Sequence, residues 1–273
     1  MDIEEIRQEI SRIDDEMADL FVRRMQAAEK VAAYKRECGL PVEDKKQEKR
    51  VIEGHSGRID DDELREYYIR FLTHVMEVSK SWQHRLLEGQ KVAYRGPENL
   101  KMYKAVRSEF PSSSCIAYSS YEQVYQAVAD GVCDIAVLPF ENGLGGEVGK
   151  VMDLIFTGDL FVNAVYTIED DEDVSRYAVL SRVEKAAGTD QGAFLLMFTV
   201  QDEIGSLAKA INVISAFDFN MRVMRSRPMK DLQWHFYFYV EAVGDDTSEN
   251  GRKMLNALRV VCPSVKVAGR YAL

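Results

Sequence analysis

From Ile3 to Cys38 the chain runs without a proline or a glycine, and its apolar residues recur at a helical period. No other feature restricts the fold as strongly. At about 1.5 Å per residue, such a helix spans roughly 50 Å. The helical stretches that follow are shorter: one from Asp44 to about Glu53, broken by Gly54 and Gly57, and one from the acidic turn Asp60-Asp61-Asp62-Glu63 to about Glu88. Two shorter helices within residues 1–89 leave much of the first uncovered. The expected fold is therefore an all-α three-helix domain that covers the remainder with a second copy, as an intertwined dimer. Local chemistry sets its boundaries. Gly39 and Pro41 stop the first helix, Asp44 accepts from the Gln47 backbone N–H to cap the second, and the acidic turn suits the positive end of the third helix dipole.

The apolar stripe of the first helix carries two cations. With 100° per residue and Arg24 as origin, Ile6, Ile10, Ile13, Met17, Leu20, Ala28 and Val31 lie within about 40°, and Lys35 about 20° away. Long basic side chains often snorkel out of such a stripe. Two in one seam point instead to a small anionic ligand between helices, because an unpartnered buried cation costs several kcal/mol. On the third helix, Leu64, Tyr68, Phe71, Val75, Trp82 and Leu86 define the expected inner face, with Ser79 and Gln83 beside it. Asp44 and Glu48 share a face at the start of the second helix.

The remaining sequence excludes several classes. A formal net charge of -10 with no basic patch argues against nucleic acid. The acidic, amphipathic start and the lack of a long apolar run argue against a signal peptide and a membrane span, so a cytoplasmic protein is expected. Cys38, Cys115, Cys133 and Cys262 are scattered, and the four histidines lack ligand spacing. Neither a disulfide frame nor a metal or other cofactor is expected.

From Lys91 onward, β-rich runs alternate with helical ones. Residues 90–185 read as a reduced α/β lobe, opening with strand KVAY, turn RGPEN, a helix and strand CDIAVLPF. Residues 190–273 read strand, helix, strand, strand, helix, strand, an α+β ferredoxin-like unit.

These residues resemble a known family, the bifunctional chorismate mutase/prephenate dehydratases. The helical segment carries Arg7 ahead of Ile10-Ser11-x-Ile13-Asp14, then Arg24, Lys35, Pro41-Val42-x-Asp44, Glu48, and Ser79 followed four residues later by Gln83. The resemblance implies that Arg7 reaches into the partner's site, Arg24 holds a substrate carboxylate, and Lys35 and Gln83 bind the ether oxygen of the breaking bond. Glu48 would contact the ring hydroxyl, while Asp44 and Ser79 help to position chorismate. Gln47 stands where the family usually has an arginine, a loss that Lys46 or Lys49 is expected to offset. The middle segment is similar to prephenate dehydratase in Val92-Ala93-Tyr94-x-Gly96-Pro97, in Leu138-Pro139-Phe140-Glu141-Asn142 with Gly145 or Gly146, and in Ser175-Arg176-Tyr177-Ala178-Val179-Leu180. It departs at Glu98-Asn99-Leu100-Lys101-Met102, where the family carries hydroxyl and histidine side chains. It also departs where Thr167-Ile168-Glu169 runs almost directly into Ser175-Arg176, as though a second lobe were deleted. Glu141, Asn142, Ser175 and Arg176 would be the remnant of a dehydratase site without activity. The last segment resembles the ACT regulatory domain, with Gly205-Ser206-Leu207, Asn220 and Ser226-Arg227-Pro228 as effector residues for phenylalanine and Arg225 replacing a usual glutamate. The resemblance therefore implies a homodimeric chorismate mutase. Two rivals stay open: an enzyme with both activities, and a non-catalytic aromatic amino acid sensor.

Overall fold

The structure, a computed structural model, describes residues 2–97, 101–142, 146–170, 173–185, 192–229 and 236–273. The chain divides into two compact units, Met1–Gly89 and Gln90–Leu273.

The first unit is three helices: α1 (Ile3–Cys38), α2 (Lys45–Ser56) and α3 (Asp62–Glu88). Their ends are where local chemistry puts them. Asp2 and Glu5 form a capping box at the start of α1, and Gly39 ends it with φ 65, a left-handed conformation that costs glycine little. Asp44 accepts from the Gln47 N–H and Asp61 from the Leu64 N–H. α2 continues through Gly54 to Ser56, because one glycine in a helix costs only about 1 kcal/mol and Gly57 supplies the stop. The packed face of α3 differs from expectation. Leu72, Met76, Ser79 and Gln83 are buried, whereas Leu64, Phe71 and Leu86 are exposed within one chain. On α1, Ala28 and Ala32 are buried, while Ile10, Ile13 and Leu20 are 53%, 50% and 57% exposed. The N-terminal part of the α1 seam therefore has no cover from its own chain.

The second unit is built on a 10-stranded sheet. Its elements are β1 (Lys91–Arg95), α4 (Lys101–Glu109), β2 (Ser114–Tyr118), α5 (Tyr121–Ala129), β3 (Ile135–Asn142), β4 (Gly146–Glu147), α6 (Gly149–Thr157), β5 (Phe161–Asp170), β6 (Asp173–Ser181), β7 (Gly192–Thr199), α7 (Ser206–Ala216), β8 (Asn220–Pro228), β9 (Phe236–Val243), α8 (Glu249–Val261) and β10 (Ser264–Ala272). The strand order is β2-β1-β3-β6-β5-β10-β7-β9-β8, with β4 beside β3. β2, β1 and β3 are parallel, β3-β6-β5 are antiparallel, and so are β10, β7, β9 and β8.

The sequence divides this unit between residues 185 and 190, yet the strands on either side share the sheet through the parallel pair Gly269↔Val162. The approach there is close, since a Cβ at Gly269 would fall on the Val162 backbone. The helices explain why the two parts form one body. Ala193, Leu195 and Met197 of β7 pack with Val151, Met152 and Ile155 of α6, whereas Phe194, Leu196 and Phe198 pack with α7 and α8. Both faces of β7 are thus covered. A strand buried on both sides reads as a continuous apolar run, and Ala193-Phe194-Leu195-Leu196-Met197-Phe198 is one.

Candidate functional site

In the helical unit, α1 and α3 meet at Arg24. Its guanidinium donates to the Val75 carbonyl at 3.2 Å and to the Ser79 hydroxyl. Ser79 in turn donates to the Val75 carbonyl at 2.9 Å, one helical turn back. Partial burial lowers the Arg24 pKa from its ordinary value. Lys35 reaches across the α1–α2 connection, with Nζ 2.5 Å from the Val42 carbonyl oxygen. Both cations are only partly exposed, and neither has a carboxylate partner among the described residues. Gln83 is buried, and its Oε1 accepts no hydrogen bond. An unmet buried acceptor costs about 1–3 kcal/mol unless something supplies a donor. Two cations satisfied only by neutral oxygens form a place that an oxygen-rich anion would complete, and a hydroxyl on the same ligand would supply the donor that Gln83 Oε1 lacks.

The other expected residues are placed as follows. Glu48 is half-buried and pairs with Lys80 of α3 at 3.1 Å. Asp44 caps α2 through the Gln47 N–H at 3.0 Å, and the Gln47 side chain is exposed. Arg7 pairs with Glu4 at 3.6 Å on the exposed end of α1. It lies 17 residues, roughly 25 Å, from Arg24 along the helix, so one chain does not bring the two together. Lys46 and Lys49 are exposed, and Lys49 pairs with Glu53 at 3.6 Å. Sequence reasoning missed Lys80. The signal was there, since Lys80 follows Ser79 and precedes Gln83 by three residues, but its direction becomes readable only once α2 is seen beside it. His84 was missed too. Its ring bridges Glu43 at 2.9 Å and Glu88 at 2.8 Å. Burial works to lower the His84 pKa, but the two carboxylates prevail and raise it, while hydrogen bonding to His84 lowers that of Glu43.

In the α/β unit, an open cleft of about 740 Å³ lies at the carboxyl ends of β1, β2 and β3. Arg95, Pro97, Tyr118, Tyr121, Asn142 and Tyr177 line it. This is where open α/β sheets place ligands. Arg95 stacks over Tyr121 at 4.6 Å, and burial together with Cys133 pushes the Tyr118 phenol up to about 12. The sheet register sets Asn142 opposite Ser175 and Glu141 opposite Arg176. Arg176 is nevertheless committed elsewhere, donating to Glu241 of β9 at 2.6 Å and to Glu141 at 3.4 Å. Glu241 is 1% exposed and also accepts from the Tyr271 hydroxyl at 2.8 Å. Burial opposes the Arg176 charge, but Glu241 raises its pKa above the ordinary value. The register Thr167↔Arg176 makes β5 and β6 one hairpin where the sequence suggested a deleted lobe. Glu98, Asn99, Leu100 and Gly145 lie outside the described residues.

The expected effector residues fall at two ends of one sheet. Gly205 precedes α7 with φ 83, Ser206 is buried, and Leu207 packs against the α7–α8 core. Through Thr199↔Tyr237 and Tyr237↔Arg227, the end of β7 that leads to them lies level with Ser226 and Arg227. Asn220 pairs with Val243 at the far end of β8. Arg227 is held by Asp153 of α6 at 2.9 Å, and the Tyr237 hydroxyl donates to the same carboxylate at 2.8 Å.

Residues 6–84 match the family model for chorismate mutase type II, and residues 92–183 match that for prephenate dehydratase. The bifunctional chorismate mutase/prephenate dehydratase of Aquifex aeolicus is 22% identical over 363 residues, covering 99% of this chain and 98% of its own. This chain belongs to the chorismate mutase/prephenate dehydratase family. It carries a chorismate mutase domain followed by a prephenate dehydratase domain. The alignment of 363 positions over a chain of 273 leaves at least 90 positions where the Aquifex enzyme has residues and this chain has none. Among solved structures, the prephenate dehydratase of Streptococcus mutans shares the fold with a TM-score of 0.59 at 21% identity, covering 67% of this chain and 98% of its own. The prephenate dehydratase of Arthrobacter aurescens, solved in complex with L-Phe, does so with a TM-score of 0.59 at 17% identity, covering 67% and 90%. Among the described residues no helix is long and apolar enough to cross a membrane, and no cluster of potential metal ligands occurs.

Proposed function

We propose that the chain is a homodimeric chorismate mutase, converting chorismate to prephenate, in which the dehydratase domain is an inactive remnant and an ACT-type ferredoxin-like region, residues 190–273, senses phenylalanine. The observation that carries this reading is the pair Arg24 and Lys35, aimed inward and met only by neutral oxygens. The rearrangement is intramolecular and pericyclic, so it requires no nucleophile and no cofactor. The protein must hold the compact dicarboxylate conformer and stabilise the charge growing on the ether oxygen. Arg24 takes a carboxylate, with Ser79 fixing its guanidinium. Lys35 donates to the ether oxygen from one side and the Gln83 amide from the other. Glu48 accepts from the ring hydroxyl, Asp44 keeps the α2 start in place, and Arg7 enters from the second copy, whose α1 covers Ile10, Ile13 and Leu20. Gln47 contributes no charge.

Two features support a dehydratase without turnover. The β5–β6 hairpin stands where a second lobe would close the cleft, and Arg176 is spent on Glu241. An open cleft leaves Ser175, Glu141 and Asn142 nothing with which to exclude water. In the last region, Gly205, Ser206, Leu207, Ser226 and Arg227 would frame the effector, with Asn220 supplied by another copy.

The test is turnover of chorismate by the full chain, with and without phenylalanine, followed by analysis of products. Loss of chorismate with prephenate accumulating supports the reading. Phenylpyruvate above the acid-catalysed background means that both activities persist. No loss of chorismate leaves a sensor without catalysis.

A further inference from the structure

We infer that Lys80 is a substrate-carboxylate-binding residue of the mutase site, supplying from α3 the positive charge that α2 lacks at Gln47. This rests on the mutase reading above and names a residue that reading leaves out. α1 contributes two cations, Arg24 and Lys35. Along the first turns of α2, the side chains of Lys45, Lys46, Gln47, Lys49 and Arg50 are all exposed, and the one partly covered is an acid, Glu48. With Asp44 and Glu48 at the start of α2, a dianionic ligand would bring four negative charges to three positive ones: Arg24, Lys35 and the Arg7 that enters from the second copy. An excess negative charge in a partly desolvated site is costly, so a further cation is required.

Lys80 meets the requirement. It stands between Ser79, which touches Arg24, and Gln83, one turn further along, and its side chain is 27% exposed. Its ammonium lies 3.1 Å from Glu48 Oε2. An ammonium has three N–H donors. One is used on Glu48, which fixes that carboxylate for the ring hydroxyl, and two are left for a ligand carboxylate. The other cations of α3 are placed differently: Arg65 is tied to the loop before α3 through the Ile59 carbonyl, and Arg70 and Arg85 are exposed.

The experiment uses the full-length chain with chorismate as the probe. Lys80→Met keeps the helix propensity and the stem but removes the charge. It is expected to raise KM at least 20-fold while kcat falls less than threefold, since the lost contact holds ground state and transition state alike. Lys80→Arg should stay within threefold of the parent. Gln47→Arg added to Lys80→Met should recover at least fivefold in KM by returning the charge through α2. The parent's KM should also rise more steeply with salt than that of Lys80→Met. A Lys80→Met enzyme with KM within twofold of the parent overturns the inference and leaves the mutase reading standing. So does a double variant no better than the single one. A fall in kcat at constant KM means that Lys80 acts only in the transition state or sets the active fraction, not that it binds the substrate carboxylate, and likewise overturns the inference. A parent chain that does not consume chorismate overturns both together.

Discussion

The two units treat their half-buried arginines in opposite ways. In the α/β unit the buried and half-buried arginines are neutralised by carboxylates of the same chain: Arg176 by Glu241, Arg227 by Asp153, Arg270 by Asp246. In the helical unit Arg24 and Lys35 meet only a hydroxyl and backbone carbonyls. A buried ion carries a desolvation cost that a partner offsets in part. Lys266 of β10 is the exception in the α/β unit, its ammonium donating to the Ile155 carbonyl at 2.7 Å with no ion pair among the described residues. Apolar surface follows the same division. The α/β unit covers both faces of β7, while α1 leaves most of its seam uncovered. One unit closes around its half-buried arginines, and the other leaves two cations without a carboxylate and an apolar seam uncovered by its own chain.

The largest expected effect breaks the closed side. Glu241→Ala leaves Arg176 with only its longer contact to Glu141 and takes the acceptor from the Tyr271 hydroxyl, and urea unfolding should register a loss of about 3 kcal/mol in the α/β transition. Chorismate turnover should stay within twofold, because the mutase residues belong to the other unit. Gly269→Ala comes next. Its methyl meets the Val162 backbone, a neighbour without the freedom of a side chain, so the same unit should lose about 1–3 kcal/mol in the same measurement. A neutral result would mean that the two parts of the sheet are held without the β5–β10 pair.

The smallest effect sharpens the comparison through pH. The His84 pKa is raised in the folded state, so its contribution to stability is fully present below the unfolded value of about 6.5 and is lost as pH rises through the folded one. The lowered Glu43 pKa adds stability that is lost on acidification below its own folded value. The pair is partly exposed, so the effect should stay under about 1 kcal/mol. The melting temperature of the parent should exceed that of His84→Gln near pH 6 and converge with it above pH 8. A gap that widens with pH would contradict the assignment.

What was legible in the sequence was local. Gly39, Asp44 and the acidic turn at Asp61 mark helix ends through contacts within a few residues, and those boundaries are where the chain puts them. The inward direction of Arg24 follows from helical period in the same way. The covered face of α3 was misjudged because Leu64 and Phe71 are as apolar as Leu72 and Met76, and composition does not reveal whether the cover comes from the same chain. The shared sheet of the α/β unit depends on one non-local pairing, Gly269↔Val162. Its trace in the sequence was the unbroken apolar run of β7, which a two-layer unit with one open face does not require. Lys80 stayed hidden because a cation on a helix surface reads as solvated until its neighbour is known.

The central claim is that a cation left without a carboxylate in the α1 seam serves the anionic transition state. Steady-state chorismate turnover by Lys35→Ala, with helix content checked by circular dichroism, tests it most directly. The account predicts a fall in kcat/KM of at least about 100-fold, about 2.7 kcal/mol, with folding intact. Turnover within threefold of the parent would contradict it.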